Sequence, residues 1–142
     1  VQNKYIMLTI NLFEQETKDY NLIDCFEAFL PIAIKELGLT RLPKIHIKKD
    51  VNMIHVASFG GYDDIDKKIT LVINNRQPAD IIRTLAHELV HFKQGENNEL
   101  KPGDWKDGSD PENEANAEAG VLMRKLAHDY PGILSAKPVQ LP

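Results

Sequence analysis

The chain has 142 residues, 42% of them hydrophobic, which suits one modest core and argues against two separate domains. Seventeen basic residues against 21 acidic ones leave a net charge of −4 with no basic stripe, so nucleic acid is not an expected partner. A single cysteine, Cys25, rules out an intrachain disulfide and a cysteine-rich zinc site, and no apolar run approaches the length of a membrane span.

In chain order, Tyr5–Phe13 mixes β-branched and apolar residues and reads as an edge strand or an approach to the first helix. It lacks a basic approach and a small-residue cleavage site, so it does not read as a signal peptide, and a cytoplasmic setting is the expectation. Asn21–Leu37 has apolar residues at helical spacing, with Pro31 as a kink or start and Gly38 as the stop. From Pro43 the period changes. Ile45 and Ile47 alternate with Lys44, His46 and Lys48, Met53–Ala57 is a second strand candidate, and Ile69–Ile73 is the clearest strand signal. Gly60–Asp64 reads as a turn. Pro78 then opens a helix to about Gln94, and Gly95–Gly108 forms a loop. A last helix runs from Ser109, Asp110 and Pro111 to about His128. The expected fold is a single α+β domain over residues 1–142, with a small, mostly antiparallel sheet packed on the Pro78–Gln94 helix.

That helix carries His87-Glu88-Leu89-Val90-His91. At about 100° per residue His91 lies about 40° from His87, with Gln94 about 20° to the other side. Ile81, Leu85, Leu89 and Phe92 fall near the opposite face. Two imidazoles one turn apart can meet one zinc ion, and Glu88, off to one side, can reach a water without binding metal. A catalytic zinc needs a third protein ligand and an open position. The other histidines are His46, His55 and His128, but the last helix offers a better choice in Pro111-Glu112-Asn113-Glu114-Ala115-Asn116-Ala117-Glu118-Ala119. Glu114 and Glu118 share a face one turn apart, and the small alanines allow a close helix approach. Glu114 is the expected third ligand, Glu118 the acceptor for a ligand histidine's other N–H, and Glu112 a carboxylate that favours the helix dipole.

HELVH followed by NEANAE resembles the gluzincin metallopeptidases, whose thermolysin-like members carry an Asn-Glu-x-x-x-Asp string on the second helix. Asn113–Glu118 matches it with Glu in the final place. The segment also resembles short phage and mobile-element peptidases. The resemblance covers about residues 66–127. It implies a zincin-like core, one zinc ion held by His87, His91 and Glu114, and hydrolysis of a peptide or protein substrate with Glu88 as general base. It also implies a group that hydrogen-bonds the tetrahedral oxyanion, with Tyr62, His128, Tyr130 and Arg124 as candidates. In the resembling family the strand before the metal helix pairs with extended substrate, and Lys68–Asn74 is its counterpart. Trp105 reads as a packing residue. Two alternatives stand beside the peptidase: a zinc hydrolase of a non-peptide substrate, and a non-catalytic binding module stabilised by metal.

Overall fold

The computed structural model describes residues 19–50, 59–102, 104 and 106–142. Their order is helix α1 (Leu22–Leu37), strands β1 (Lys44–Lys48), β2 (Gly60–Asp63) and β3 (Lys68–Val72), helix α2 (Pro78–Glu96), helix α3 (Asp110–Asp129) and a 3-10 turn (Ile133–Ser135). The protein is α+β, as expected. Tyr5–Phe13, Met53–Ala57 with His55, and Trp105 lie outside the described residues.

Helix α1 begins one residue after Asn21, whose side chain accepts from the Asp24 backbone at 2.8 Å while the Asp24 carboxylate accepts from Asn21 N at 3.0 Å. This reciprocal pair satisfies two of the helix's unpaired N–H groups. Gly38 ends the helix at φ 64°, a left-handed conformation that glycine adopts at no steric cost. Pro31 neither starts nor breaks the helix. It sits inside it at an exposed position, where the carbonyl deprived of its N–H partner can be hydrated.

The sheet order is β1-β3-β2, with β1 parallel and β2 antiparallel to β3. The expected mostly antiparallel sheet is therefore corrected to a mixed one. A long excursion separates β1 from β3 and lets the chain return in the same direction, whereas a tight turn joins β2 to β3 and forces reversal. That turn falls later than the sequence suggested. Gly60–Asp63 is strand, and Asp64–Lys67 reverses the chain. There Asp63 Oδ1 accepts from the backbone of Ile65 at 2.9 Å and Asp66 at 3.1 Å, and Lys67 takes φ 52°. The central position belongs to β3, whose Ile69 and Leu71 are fully buried. The expectation that this strand offers an open edge to substrate is corrected too, because β1 and β2 occupy both its sides.

Helix α2 is the central element and packs on α1, α3, β2 and β3. Pro78 opens it where a missing N–H costs nothing. Its apolar face, with Ile81, Ile82, Leu85, Leu89 and Phe92, is buried as expected. Toward its C-terminal end the polar face is covered too, with His91 and Gln94 buried against α3. The stripe Ala115, Ala119, Leu122 and Leu126 makes that cover, its alanines admitting the close approach and its leucines each contributing roughly 1.5–3 kcal/mol on burial.

Gly60 lets β2 lie directly on α2. A Cβ at this position would stand 2.4 Å from Thr84 Cγ2 and 3.0 Å from the Thr70 carbonyl oxygen. Gly60→Ala should therefore destabilise the fold by about 1–3 kcal/mol. Adding Thr84→Ser, which removes the clashing methyl and keeps the hydroxyl, should recover much of that loss. Urea melts of the two single variants and the double variant check this, and simple additivity would disprove the contact.

Candidate metal centre

Helix α2 places His87 and His91 one turn apart with their rings edge to face, centroids 4.7 Å apart. The two Nε2 atoms are 3.1 Å from each other. The third group against them is Glu112, whose Oε1 lies 2.6 Å from His91 Nε2 and 3.3 Å from His87 Nε2. Among the described residues these three form a group able to hold a metal ion.

The sequence expectation put Glu114 in this place and left Glu112 to the helix dipole, whereas in the structure Glu112 stands against the histidines and Glu114 against Gln94. The reason lies in the face that α3 buries. Taking Glu112 as zero at about 100° per residue, the stripe of Ala115, Ala119, Leu122 and Leu126 centres near −50°. Glu112 is thus about 50° from the centre of the interface, while Glu114 is about 110° from it. Val121, on the same side of the helix as Glu114 and Glu118, is 45% exposed and marks the outer side. Ser109 caps the helix, its hydroxyl accepting from Glu112 N at 3.3 Å. The Glu112 side chain turns to the histidines.

Glu114 holds a neighbouring position. Its Oε1 accepts from Gln94 Nε2 at 3.0 Å, and the same amide donates to the Pro111 carbonyl at 3.0 Å. Two acceptors on the NH₂ side orient the amide, so Gln94 Oε1 faces His91 Nδ1 at 2.8 Å and accepts its proton. With the proton on Nδ1, the Nε2 lone pair points at Glu112 and His87. This is the orientation a metal-binding imidazole requires, and it is set from behind by an outer hydrogen bond. Gln94 fills the role expected of Glu118, which is half-buried and makes no hydrogen bond to either histidine. Its signal was present in the sequence as a polar residue three positions after His91 on the histidine face.

Three electron-rich atoms that converge so closely repel unless positive charge lies between them, as a shared proton or a cation. Donors about 2.0–2.1 Å from a tetrahedral ion stand about 3.3 Å apart. The separations of 3.1 and 3.3 Å fit that figure, and the 2.6 Å contact is tighter. Two imidazoles and one carboxylate are also a donor set that zinc takes with a position left open.

Glu88 is 9% exposed and binds neither histidine. Burial, reinforced by Glu112 and opposed by His87, pushes its carboxyl up to about 7. It lines, with His87, a cleft of about 410 Å³ whose other walls are Phe59, Gly60, Arg76, Arg83 and Thr84. A larger cavity of about 640 Å³ lies between the start of α1 and the tail at Val139 and Leu141, where no cluster of metal-binding groups stands among the described residues. The chemistry therefore places the site at the smaller cleft.

The expected oxyanion partners are not gathered there. The Tyr62 hydroxyl donates to Asp64 Oδ1 at 2.9 Å and its ring meets Phe92 edge-on. Burial first, then that carboxylate, raises its pKa above the ordinary phenol value. Arg124, His128 and Tyr130 sit on the far half of α3 or at its end, roughly 18 Å or more along the axis from Glu112 at 1.5 Å per residue. The arginines and Thr84 of the cleft were missed because no motif marks them.

The chain matches no protein-family model, no curated protein and no solved structure.

Two outcomes follow from this geometry. In competition titrations with a zinc chelator, Gln94→Ala and Glu114→Ala should each weaken zinc binding by roughly 10–100-fold, as loss of an outer partner does. Glu112→Ala should weaken it further, and a larger loss at Glu114 than at Glu112 would reverse the assignment. The second outcome concerns the metal-free protein. The Glu88 carboxyl ordinarily titrates at 4.5 and in the fold at about 7. Its protonated form therefore stabilises the fold fully below pH 4.5, and that contribution is lost as pH rises through 7. Metal-free Glu88→Gln should match wild type at pH 4 and exceed it at pH 8 by on the order of 2–3 kcal/mol. Denaturant melts in the presence of chelator measure the difference, and parallel pH profiles would contradict it.

Proposed function

We propose that the protein is a zinc-dependent hydrolase and, more specifically, a peptidase with a minimal zincin-like core similar to the gluzincins. The observation that carries the reading is the convergence of His87 Nε2, His91 Nε2 and Glu112 Oε1 beside a buried carboxylate in an open cleft. His87, His91 and Glu112 would hold the ion, and Gln94 with Glu114 would fix the ring of His91. Zinc in such a site acidifies water and polarises a carbonyl.

The chain's own residues supply the proton traffic and the positioning. Glu88 stands one residue from His87, at the edge of the cleft and off the metal-binding face. Its carboxylate accepts a proton as water oxygen bonds to the scissile carbonyl carbon. It then returns that proton to the amine nitrogen as the C–N bond breaks. Burial, which raises the proton affinity of this carboxyl, helps it to hold the proton between the two transfers. Glu88 also argues against a purely structural metal site, which has no use for an unliganded carboxylate.

The test is hydrolysis of a mixed peptide library by zinc-loaded wild type and Glu88→Gln. The variant should retain zinc, because its donors are unchanged, and lose roughly 10²–10⁴-fold in rate. Near-normal cleavage by the variant would move the base elsewhere. Wild type that holds zinc and cleaves nothing would remove the peptidase reading.

A further inference from the structure

Among the described residues the cleft holds two guanidinium groups, and neither donates a hydrogen bond to a carboxylate. Arg76 is half-buried and built into the wall. Its Nη1 donates to the carbonyls of Val72 at 2.8 Å and Phe59 at 3.2 Å, and its Nη2 to Thr84 Oγ1 at 2.9 Å and the Asp80 carbonyl at 3.2 Å. Its guanidinium carbon lies 4.7 Å from the Phe59 ring centroid. Arg76 is thus a fixed cation whose hydrogen-bond partners are all neutral, with the Asp80 carboxylate acting on it only through space. Arg83 stands one helical turn before His87, is exposed, and makes no hydrogen bond or ion pair among the described residues.

This concentration of positive charge stands out in a chain of net charge −4. The ion pairs elsewhere among the described residues join arginine, lysine or histidine to a carboxylate, as Arg41 does with Glu96 at 2.7 Å. In the cleft neither arginine makes such a pair among the described residues, although Asp80 acts on Arg76 through space, and the acidic side chain that lines it, Glu88, is buried. A planar guanidinium with free donors is the side chain best shaped to take a carboxylate in two parallel hydrogen bonds. A fixed cation behind it adds attraction without needing to move.

We infer that this cleft selects substrates bearing a carboxylate close to the cleaved bond, with Arg83 as its direct partner and Arg76 as a fixed positive wall. The inference rests on the hydrolase reading for its place in a reaction, but the binding it describes stands apart from hydrolysis. The carboxylate can come from an acidic side chain or from a free chain terminus.

Four matched fluorogenic peptides distinguish these sources: Glu or Gln beside the cleaved bond, each with a free or an amidated C-terminus. Zinc-loaded wild type should prefer one carboxylate source over its amide by roughly tenfold in kcat/KM, with the preference shrinking as salt is raised. Arg83→Gln should bring the ratio close to one, and Arg83→Glu should invert it. Binding of the same peptides to zinc-loaded Glu88→Gln, with and without Arg83→Gln, is read by fluorescence anisotropy. If nothing is cleaved yet carboxylate peptides bind through Arg83, the cleft assignment stands and the hydrolase reading fails. If cleavage proceeds with equal rates for acid and amide, or the preference survives Arg83→Gln, the cleft assignment is overturned and the hydrolase reading remains. Absence of both binding and cleavage overturns both.

Discussion

Close packing of α3 on α2 is the contact from which the remaining arrangement follows. Ala115 and Ala119 bring the two axes together, and Leu122 and Leu126 continue the seam into the core. Because the seam is narrow at its alanine end, polar groups of both helices meet there without water between them. His91 is 1% exposed and Gln94 2%, and each has a hydrogen-bond partner across or along the seam. Among the described residues no buried side-chain donor or acceptor is left unpaired. Buried polar groups cost several kcal/mol when unsatisfied, so this end of the interface tolerates little change in register. A cation between the three donors would add its binding free energy to the same interface.

The sequence made the elements legible and the interface only partly so. Helical periodicity in α1 and α2, the Asn21 and Gly38 boundaries and the β3 signal all depend on residues close in the chain, and all appear as read. The turn at Asp64–Lys67 was displaced because Gly60 and Gly61 look like turn residues. Gly60 is needed instead for close approach of a strand to Thr84. The parallel pairing of β1 with β3 has no local signature, since nothing in Lys44–Lys48 or Lys68–Val72 fixes relative direction. The exchange of Glu112 for Glu114 has a different origin. Both carboxylates lie on the first turns of one helix, and the choice depends on which stripe faces α2. Four apolar or small positions, 115, 119, 122 and 126, carried that information. The string Asn113–Glu118 drew attention to the other side.

Electrostatic asymmetry organises the cleft. One side of it carries His87 and a carboxylate that burial makes reluctant to ionise. Its outer wall carries Arg76, whose own pKa is lowered by burial and supported by Asp80, and Arg83, which extends to solvent. Arg76 also ties Val72 at the end of β3 and Phe59 before β2 to Thr84 on α2. The same guanidinium thus holds sheet to helix and sets the sign of the wall, so structural and electrostatic roles cannot be separated by removing it.

The two histidines and Glu112 stand at most 25 residues apart in the chain, on two consecutive antiparallel helices. Assembly of the centre asks for closure of the connection between α2 and α3, over a separation close to the 24 residues between the β1 and β3 partners Lys44 and Lys68. Such a helical hairpin can act as a cooperative unit whose opening free energy differs from that of the sheet. Amide exchange along the chain would then fall into two classes, with the slower-exchanging protons of α2 and α3 separated from those of β1 by the placement of the donors in a single hairpin.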